Sequence, residues 1–181
     1  MAQKYIGVIG SAENVLPETL QMAEEVGRLV AQRGAVLVSG GRTGVMEAAS
    51  RGAKQAGGTV VGILPSANRA EANEYVDIAI PTGLGFAMRN IVTVRTSDVL
   101  IAIQGESGTL SEIVSTYSHG KPLIVLSTSG GWAERLKGAL PYDGEYLDHK
   151  KIIPISYAST AAEAVETAFA RWGQHVQRDR L

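Results

Sequence analysis

Short apolar runs rich in β-branched residues alternate along the chain with longer stretches of helical periodicity. The runs occupy residues 5–10 (YIGVIG), 35–40 (AVLVSG), 59–65 (TVVGILP), 75–80 (YVDIAI), 98–103 (DVLIAI), 122–127 (PLIVLS) and 151–155 (KIIPI). Strands that are apolar along their whole length are buried on both faces, the habit of mostly parallel sheets covered by helices. The intervening segments fit crossover helices. Leu110, Ile113, Val114 and Tyr117 recur at i, i+3, i+4 and i+7, and Leu84, Met88, Ile91 and Val92 at i, i+4, i+7 and i+8, as an amphipathic helix with one apolar side would have them. The stretch NIVTV at 90–94 is β-branched enough to suit a strand as well. After Gly44, the residues Val45, Ala48, Ala49, Gly52, Ala53 and Ala56 make a small-residue face that would let a helix lie close on the sheet. Thr160 and Glu163 have the spacing of a capping box at the start of a last helix. The order predicts a doubly wound α/β fold, a mostly parallel sheet of about seven strands flanked by helices, with residues 1–181 in a single domain.

Composition narrows the chemistry. A chain of 181 residues, 45% hydrophobic, can build one sizeable core. Its 17 Lys and Arg balance 18 Asp and Glu, so no global field is available to hold nucleic acid or a membrane surface, and charge must act locally. With no cysteine, thiolate catalysis and cysteine metal sites are excluded, and His119, His149 and His175 are too scattered for a metal motif. The first residues run straight into an apolar strand without a signal-peptide core, and no apolar run approaches the roughly 20 residues of a membrane span. A soluble, cytoplasmic protein is expected.

Three glycine-marked turns follow predicted strands: Gly10 and Ser11; Gly40, Gly41, Arg42, Thr43 and Gly44; and Gly105, Glu106, Ser107, Gly108 and Thr109. In an open parallel sheet, ligands bind where strand ends pass into helices. Glycine lets backbone amides approach an anion, and a helix N-terminus adds about half a positive charge, so each turn is a candidate phosphate cradle. A single glycine turn is most simply a tight bend; three on one edge point to a site. The P-loop, the dinucleotide-binding G-x-G-x-x-G and the serine-hydrolase elbow are all missing.

The segments SGGRTGVMEAA (39–49), MRN (88–90) and QGESGTLSE (104–112), the last starting fifteen residues after Arg89, resemble the Lonely Guy (LOG) group once called lysine decarboxylases. The resemblance is closer to its bacterial branch that includes molybdenum cofactor carrier proteins, and it spans roughly residues 5–127. It implies a Rossmann-like fold, a homodimer or larger assembly, and a nucleotide-like or phosphorylated ligand at the strand ends. LOG enzymes are phosphoribohydrolases that release a base from a nucleoside 5'-monophosphate. Their hallmark is an arginine-lysine pair followed by P-G-G-x-G-T-x-x-E. By that resemblance Arg89 and Glu112 would serve the glycosidic bond, with Gly105, Gly108 and Thr109 taking phosphate. Three positions depart from the hallmark: Gln104 for proline, Glu106 for the second glycine, and Asn90 for lysine. A carboxylate among phosphate-facing amides and a lost lysine weaken an anion site, which Arg42 partly offsets. These changes resemble the carrier branch.

Each residue has a plainer reading too. Glu112, three residues after Thr109, has the spacing to cap a helix beginning there. Arg89 could be a surface or interface salt-bridge residue, Glu106 could point to solvent, and Arg95 and Asp98 suit a helix-to-strand corner. Leu84, Phe86 and Met88 offer apolar surface that a lone domain leaves uncovered, consistent with a homodimer. The leading expectation is a nucleotide or phosphorylated-cofactor binding protein, with no metal held by protein ligands; the alternative is a phosphoribohydrolase, and a nucleotide-sensing regulatory module is a third class. Base specificity would lie in loops such as residues 66–73, which carry no readable code.

Overall fold

The computed structural model describes residues 3–178, with side chains of the last helix described as far as Trp172. Seven parallel strands form one sheet: β1 (Tyr5–Gly10), β2 (Val36–Ser39), β3 (Val60–Leu64), β4 (Ile78–Pro81), β5 (Val99–Ile103), β6 (Leu123–Leu126) and β7 (Ser156–Ala158), in the spatial order β4-β3-β2-β1-β5-β6-β7. This is the Rossmann-like, doubly wound α/β arrangement. Helices α1 (Pro17–Gln32), α2 (Val45–Gln55) and α6 (Ala161–Arg178) cover one face; α3 (Gly85–Thr96), α4 (Ser107–Ser118) and α5 (Gly131–Ala139) cover the other. A 3-10 turn at Arg69–Glu71 precedes β4.

The strand runs alternate between two cores as a pleated strand requires. Ile6, Val8, Ile101 and Ile103 join the cluster under α1, α2 and α6, whereas Ile9, Leu100 and Ala102 join Val94, Ile113, Tyr117 and Leu136 beneath α3, α4 and α5. Both sides are buried, which is why the sequence shows no polar alternation. The stretch 90–94 is helical; its β-branched residues follow the neighbouring helical context rather than their own propensity. Among the described residues no helix is long and apolar enough to cross a membrane.

Four features differ from the sequence reading. Residues 151–155 are not the seventh strand. Pro154 has no amide to donate, Lys151 takes φ 46°, Ile152 N–H donates to Tyr117 Oη and Ile155 N–H to the Glu145 carbonyl, so ladder pairing begins only at Ser156. Strand β4 starts at Ile78 rather than residue 75, because the Tyr75 amide is taken by Asn73 Oδ1. The small-residue face of α2 is split between two neighbours. Val45, Ala48, Ala49 and Ala53 pack toward the sheet, but Gly52 lies against the Glu24 carbonyl of α1, and Gly27 of α1 against the Ala49 carbonyl. Finally, the periodic apolar residues Leu84, Met88 and Ile91 of α3 and Val114 of α4 face outward, while the side turned inward on α3 carries Arg89, Asn90, Thr93 and Val94.

Other local readings hold. Thr160 Oγ1 accepts from the Glu163 amide at 3.2 Å, and the Glu163 carboxylate reaches back one residue further than the simplest box, to Ser159 N–H and Oγ–H at 2.8 and 2.9 Å. Those bonds hold the Glu163 carboxyl below its ordinary range. Asp98 secures the corner between α3 and β5 by accepting from the Tyr5 amide at 2.9 Å. Beside it Lys121 Nζ–H donates to the Val94, Arg95 and Ser97 carbonyls, giving the end of α3 a cationic cap. His119 and His149 are exposed; the side chain of His175 lies outside the described residues.

Replacing Gly52 with Ala tests the close crossing of α1 and α2. In an open helix the change stabilises by about 1 kcal/mol. Here the added Cβ runs into the Glu24 carbonyl, and a backbone atom cannot swing aside, so the expected result in urea unfolding is a loss of about 1–3 kcal/mol. A more stable variant would show that the helices separate without penalty.

Candidate functional site

Strands β1 and β5 are neighbours at the middle of the sheet, yet β1 leads into a helix on one face and β5 into a helix on the other. The divergence opens a crevice at their carboxyl ends, the place where doubly wound sheets bind ligands. A cleft of about 240 Å³ lies there.

All three glycine turns meet at this cleft, and Ser11 ties them together. Its Oγ accepts from the Gly105 amide at 3.2 Å, and its carbonyl accepts from the Val45 amide at 2.9 Å. Thr43 Oγ1–H adds a 3.1 Å bond to the Ala12 carbonyl. Of the residues singled out by sequence, Gly10, Ser11, Gly40, Arg42, Arg89, Asn90, the stretch 106–109 and Glu112 line the cleft. Gly41, Thr43, Gly44 and Gly105 do not line it. They hold the loops in place: Gly41 packs on Gly62 of β3, and Gly44, at φ 66°, sits where a side chain would collide with the Ser11 and Ala12 carbonyls. Val8, Ile9, Ala12, Met46 and Phe86 complete the lining. Phe86 was legible only as surface, although its i, i+3 spacing from Arg89 put both on adjoining parts of one helix; Met46 carried no signal beyond following a glycine turn.

Arg89 is the least expected feature. An arginine on an amphipathic helix normally faces water, but this one is 6% exposed and joins none of the four ion pairs found among the described residues. It is therefore not a surface salt-bridge residue. Gly40 makes room for it, since a Cβ at that position would occupy the space of the guanidinium. One Nη–H donates to the Ile63 carbonyl at 3.2 Å, whereas the buried Nε–H has no partner among the described residues. Burial pushes the Arg89 pKa down, with Glu112 drawing it up and Arg42 pushing it down further; a guanidinium nevertheless stays charged in a protein. The Phe86 ring is near both cations, its centroid 5.3 Å from the Arg42 guanidinium carbon and 5.8 Å from that of Arg89.

Glu112 is 7% exposed and does not cap a helix. Helix α4 begins at Ser107 rather than near Thr109, with Glu106 at its N-cap position and no side-chain cap, which puts Glu112 in the second turn facing the cleft. Its carboxyl has no hydrogen-bond partner among the described residues, and burial pushes its pKa up to about 7 against the opposing pull of Arg89. Glu106 is exposed at the cleft rim. Asn90, in the position of the hallmark lysine, clamps α3 to α4 through Nδ2–H bonds to the Gly108 carbonyl at 3.4 Å and Ser111 Oγ at 3.3 Å. Gln104 takes φ 57°, a value closed to proline, whose ring fixes φ near −65°. No group of three or more histidine or acidic residues among the described residues could hold a metal ion.

A model described as the SLOG cluster4 family matches residues 3–162. An uncharacterized protein of Archaeoglobus fulgidus is 47% identical over 70% of this chain and 82% of its own length. A cytokinin riboside 5'-monophosphate phosphoribohydrolase of Mycobacterium tuberculosis is 31% identical over 69% of this chain and 71% of its own. Among solved structures, the molybdenum cofactor binding protein of Rippkaea orientalis superposes with a TM-score of 0.81 at 38% identity, covering 94% of this chain and 98% of that one.

The raised Glu112 pKa sets the sign of a pH effect. Between the ordinary 4.5 of the unfolded chain and about 7 in the fold, the native state binds the extra proton, so this group lowers stability as pH rises through that window and leaves it low above. The full difference is about 3 kcal/mol. Glu112→Gln removes the effect. Relative to the wild type, the variant should gain up to about 3 kcal/mol in urea unfolding on going from about pH 4 to about pH 8; an unchanged difference would place the carboxyl in an ordinary environment.

Proposed function

Because this chain belongs to the SLOG cluster4 family, we propose that it binds a nucleotide or phosphorylated cofactor at the carboxyl ends of β1 and β5 and releases it unchanged, in the manner of a molybdenum cofactor carrier. The observation that carries this reading is the buried Arg89. A guanidinium with, among the described residues, no partner for its Nε–H and no contact ion pair is held at the cleft wall beside Gly40 and the Ile63 carbonyl, ready for an anionic group. Arg42 adds a second cation, and the first turn of α4 supplies free amides. The departures from the hydrolase hallmark support binding over turnover. Glu106 sets a negative charge at the helix N-terminus, Asn90 removes a positive one, and Gln104 follows a backbone path closed to the hallmark proline.

A second reading, a nucleoside 5'-monophosphate phosphoribohydrolase, is favoured by Glu112, a carboxyl poised near neutrality on the cleft floor, and by the mycobacterial relative. In that case Arg89 would hold the ribose phosphate and Glu112 would stabilise the ribosyl centre or orient water. Chromatography of a panel of nucleoside 5'-monophosphates incubated with the protein separates the two: the carrier reading expects no free base, and Glu112-dependent base release would replace it with the hydrolase reading. In parallel, Arg89→Gln should weaken binding of phosphate-bearing ligands by about tenfold or more.

The proposal includes a homodimer through α3 and α4, supported by the outward apolar residues Leu84, Phe86, Met88, Ile91 and Val114. Met88, 52% exposed, is the natural probe. Light scattering should find a dimer in the wild type and a monomer in Met88→Glu; a monomeric wild type at micromolar concentration would refute the assembly.

A further inference from the structure

We propose that the cleft takes up its anionic ligand together with one proton from solvent, and that Glu112 holds this proton and donates it in a hydrogen bond to an uncharged acceptor oxygen on the ligand. Glu112 is then a specificity-determining residue, selecting ligands that carry a carbonyl or hydroxyl oxygen beside their anionic group. The inference rests on the reading of the cleft as an anion site.

Four charged side chains line the cleft, and they cancel: Arg42 and Arg89 are positive, Glu106 and Glu112 negative. A phosphate dianion thus enters a cleft of no net charge while every member is ionised. The two carboxylates are unequal. Glu106 is exposed at the rim, where water screens it. Glu112 is enclosed, and its carboxyl has neither a hydrogen-bond donor nor a contact ion pair among the described residues. An ionised buried carboxylate is ordinarily satisfied by several donors; one without them is the more readily protonated member.

Of the two cations in the lining, Arg89 is the one whose pull acts on the Glu112 carboxyl. Helix α3 presents Arg89 and the neutral Asn90 to the cleft, and the loop after β2 adds Arg42 to its lining. The other charges on elements around α4 lie toward its far end or the opposite edge of the sheet: Arg95 and Lys121 near the end of α3, Asp98 before β5, Asp148 bonded to Tyr117, and His119 at the helix C-terminus. Binding of an anion to Arg89 offsets the charge whose pull opposes the burial of Glu112, so the carboxylate would face an anion with less compensation. Protonation relieves this, and it turns an acceptor into the donor that the cleft floor lacks. The burial that already holds this carboxyl up to about 7 in the free protein makes the change accessible near neutral pH.

Two probes test the inference: inorganic sulfate, whose charge is fixed across the range, and adenosine 5'-monophosphate. Affinities are measured for the wild type, Glu112→Gln and Glu112→Ala between about pH 6 and pH 8.5, and calorimetry in buffers of different protonation enthalpy counts protons taken up. Wild-type binding should weaken by up to about tenfold per pH unit above the Glu112 midpoint, with uptake approaching one proton. Glu112→Gln keeps a donor without the charge; for sulfate it should show no such pH dependence, take up no proton, and bind more tightly than the wild type at the alkaline end. Glu112→Ala lacks the donor and should bind adenosine 5'-monophosphate several-fold more weakly than Glu112→Gln, a difference that charge removal alone does not produce. Sulfate binding by the wild type without proton uptake, or a pH dependence that survives in Glu112→Gln, overturns this inference and leaves the anion site standing. Failure of both probes to bind at any pH overturns the anion reading and the inference with it.

Discussion

The cleft depends on a single residue bonded in two directions. Ser11 joins the turn after β5 through its hydroxyl and the turn before α2 through its carbonyl, so three loops that leave the sheet toward different layers share one reference point. Each bond is modest, about 1 kcal/mol net. Their effect is geometric. They keep the chain segments carrying Arg42 and Glu106 facing one another across the end of β1, although 64 positions separate the two in sequence. Glycine makes this possible where a side chain would intrude, as at Gly44 against the Ser11 carbonyl and at Gly40 against the Arg89 guanidinium. The functional loops are therefore as much packed against each other as exposed to ligand.

Within that frame the cleft is built from polar groups left incomplete. Among the described residues, Arg89 finds no partner for its Nε–H and Glu112 no donor for its carboxyl. Isolated burial of either group would be unfavourable. Across one small cavity each partly compensates the other through space without closing to a contact pair, so a ligand can enter between them rather than having to break a salt bridge first. Binding sites often keep such local unfavourable terms because the surrounding core over-determines the structure, and here the parallel sheet, buried on both faces, supplies that support.

The sheet was legible because a strand covered on both sides has no polar face to confuse its pattern: six of the seven runs overlap a strand, and the seventh was displaced by Pro154. The glycine turns were legible for a related reason, since a break after a fully apolar run marks the carboxyl edge of the sheet. What escaped was orientation. Leu84, Met88 and Ile91 have the spacing of a core stripe, yet α3 turns Arg89, Asn90 and Thr93 inward. Periodicity assumes that the apolar side faces the protein's own core, and it cannot distinguish that core from an outward apolar surface. Helix α4 similarly begins two residues before the Thr109 signal because Glu106 occupies the N-cap position without bonding to the helix, leaving no capping signature to read. Buried polar residues are chosen by what they meet in space, and neither the Ile63 carbonyl nor the gap above Gly40 is visible from positions 86–92.

The backbone at Gln104 bears on ancestry as well as chemistry. A left-handed residue at the mouth of the β5 loop and a proline at the same place are mutually exclusive conformers, not neighbouring points on a smooth path. A lineage passing between this loop and one bearing the P-G-G hallmark must change residue and backbone together. The bonds from the Gln104 backbone N–H to Ser129 Oγ, and from Gln104 Nε2–H to the Asn14 carbonyl, would have to be surrendered in the same step. Such coupling makes the two loop forms separate basins in sequence space, each able to vary widely at its surface while single substitutions at this position remain trapped on one side.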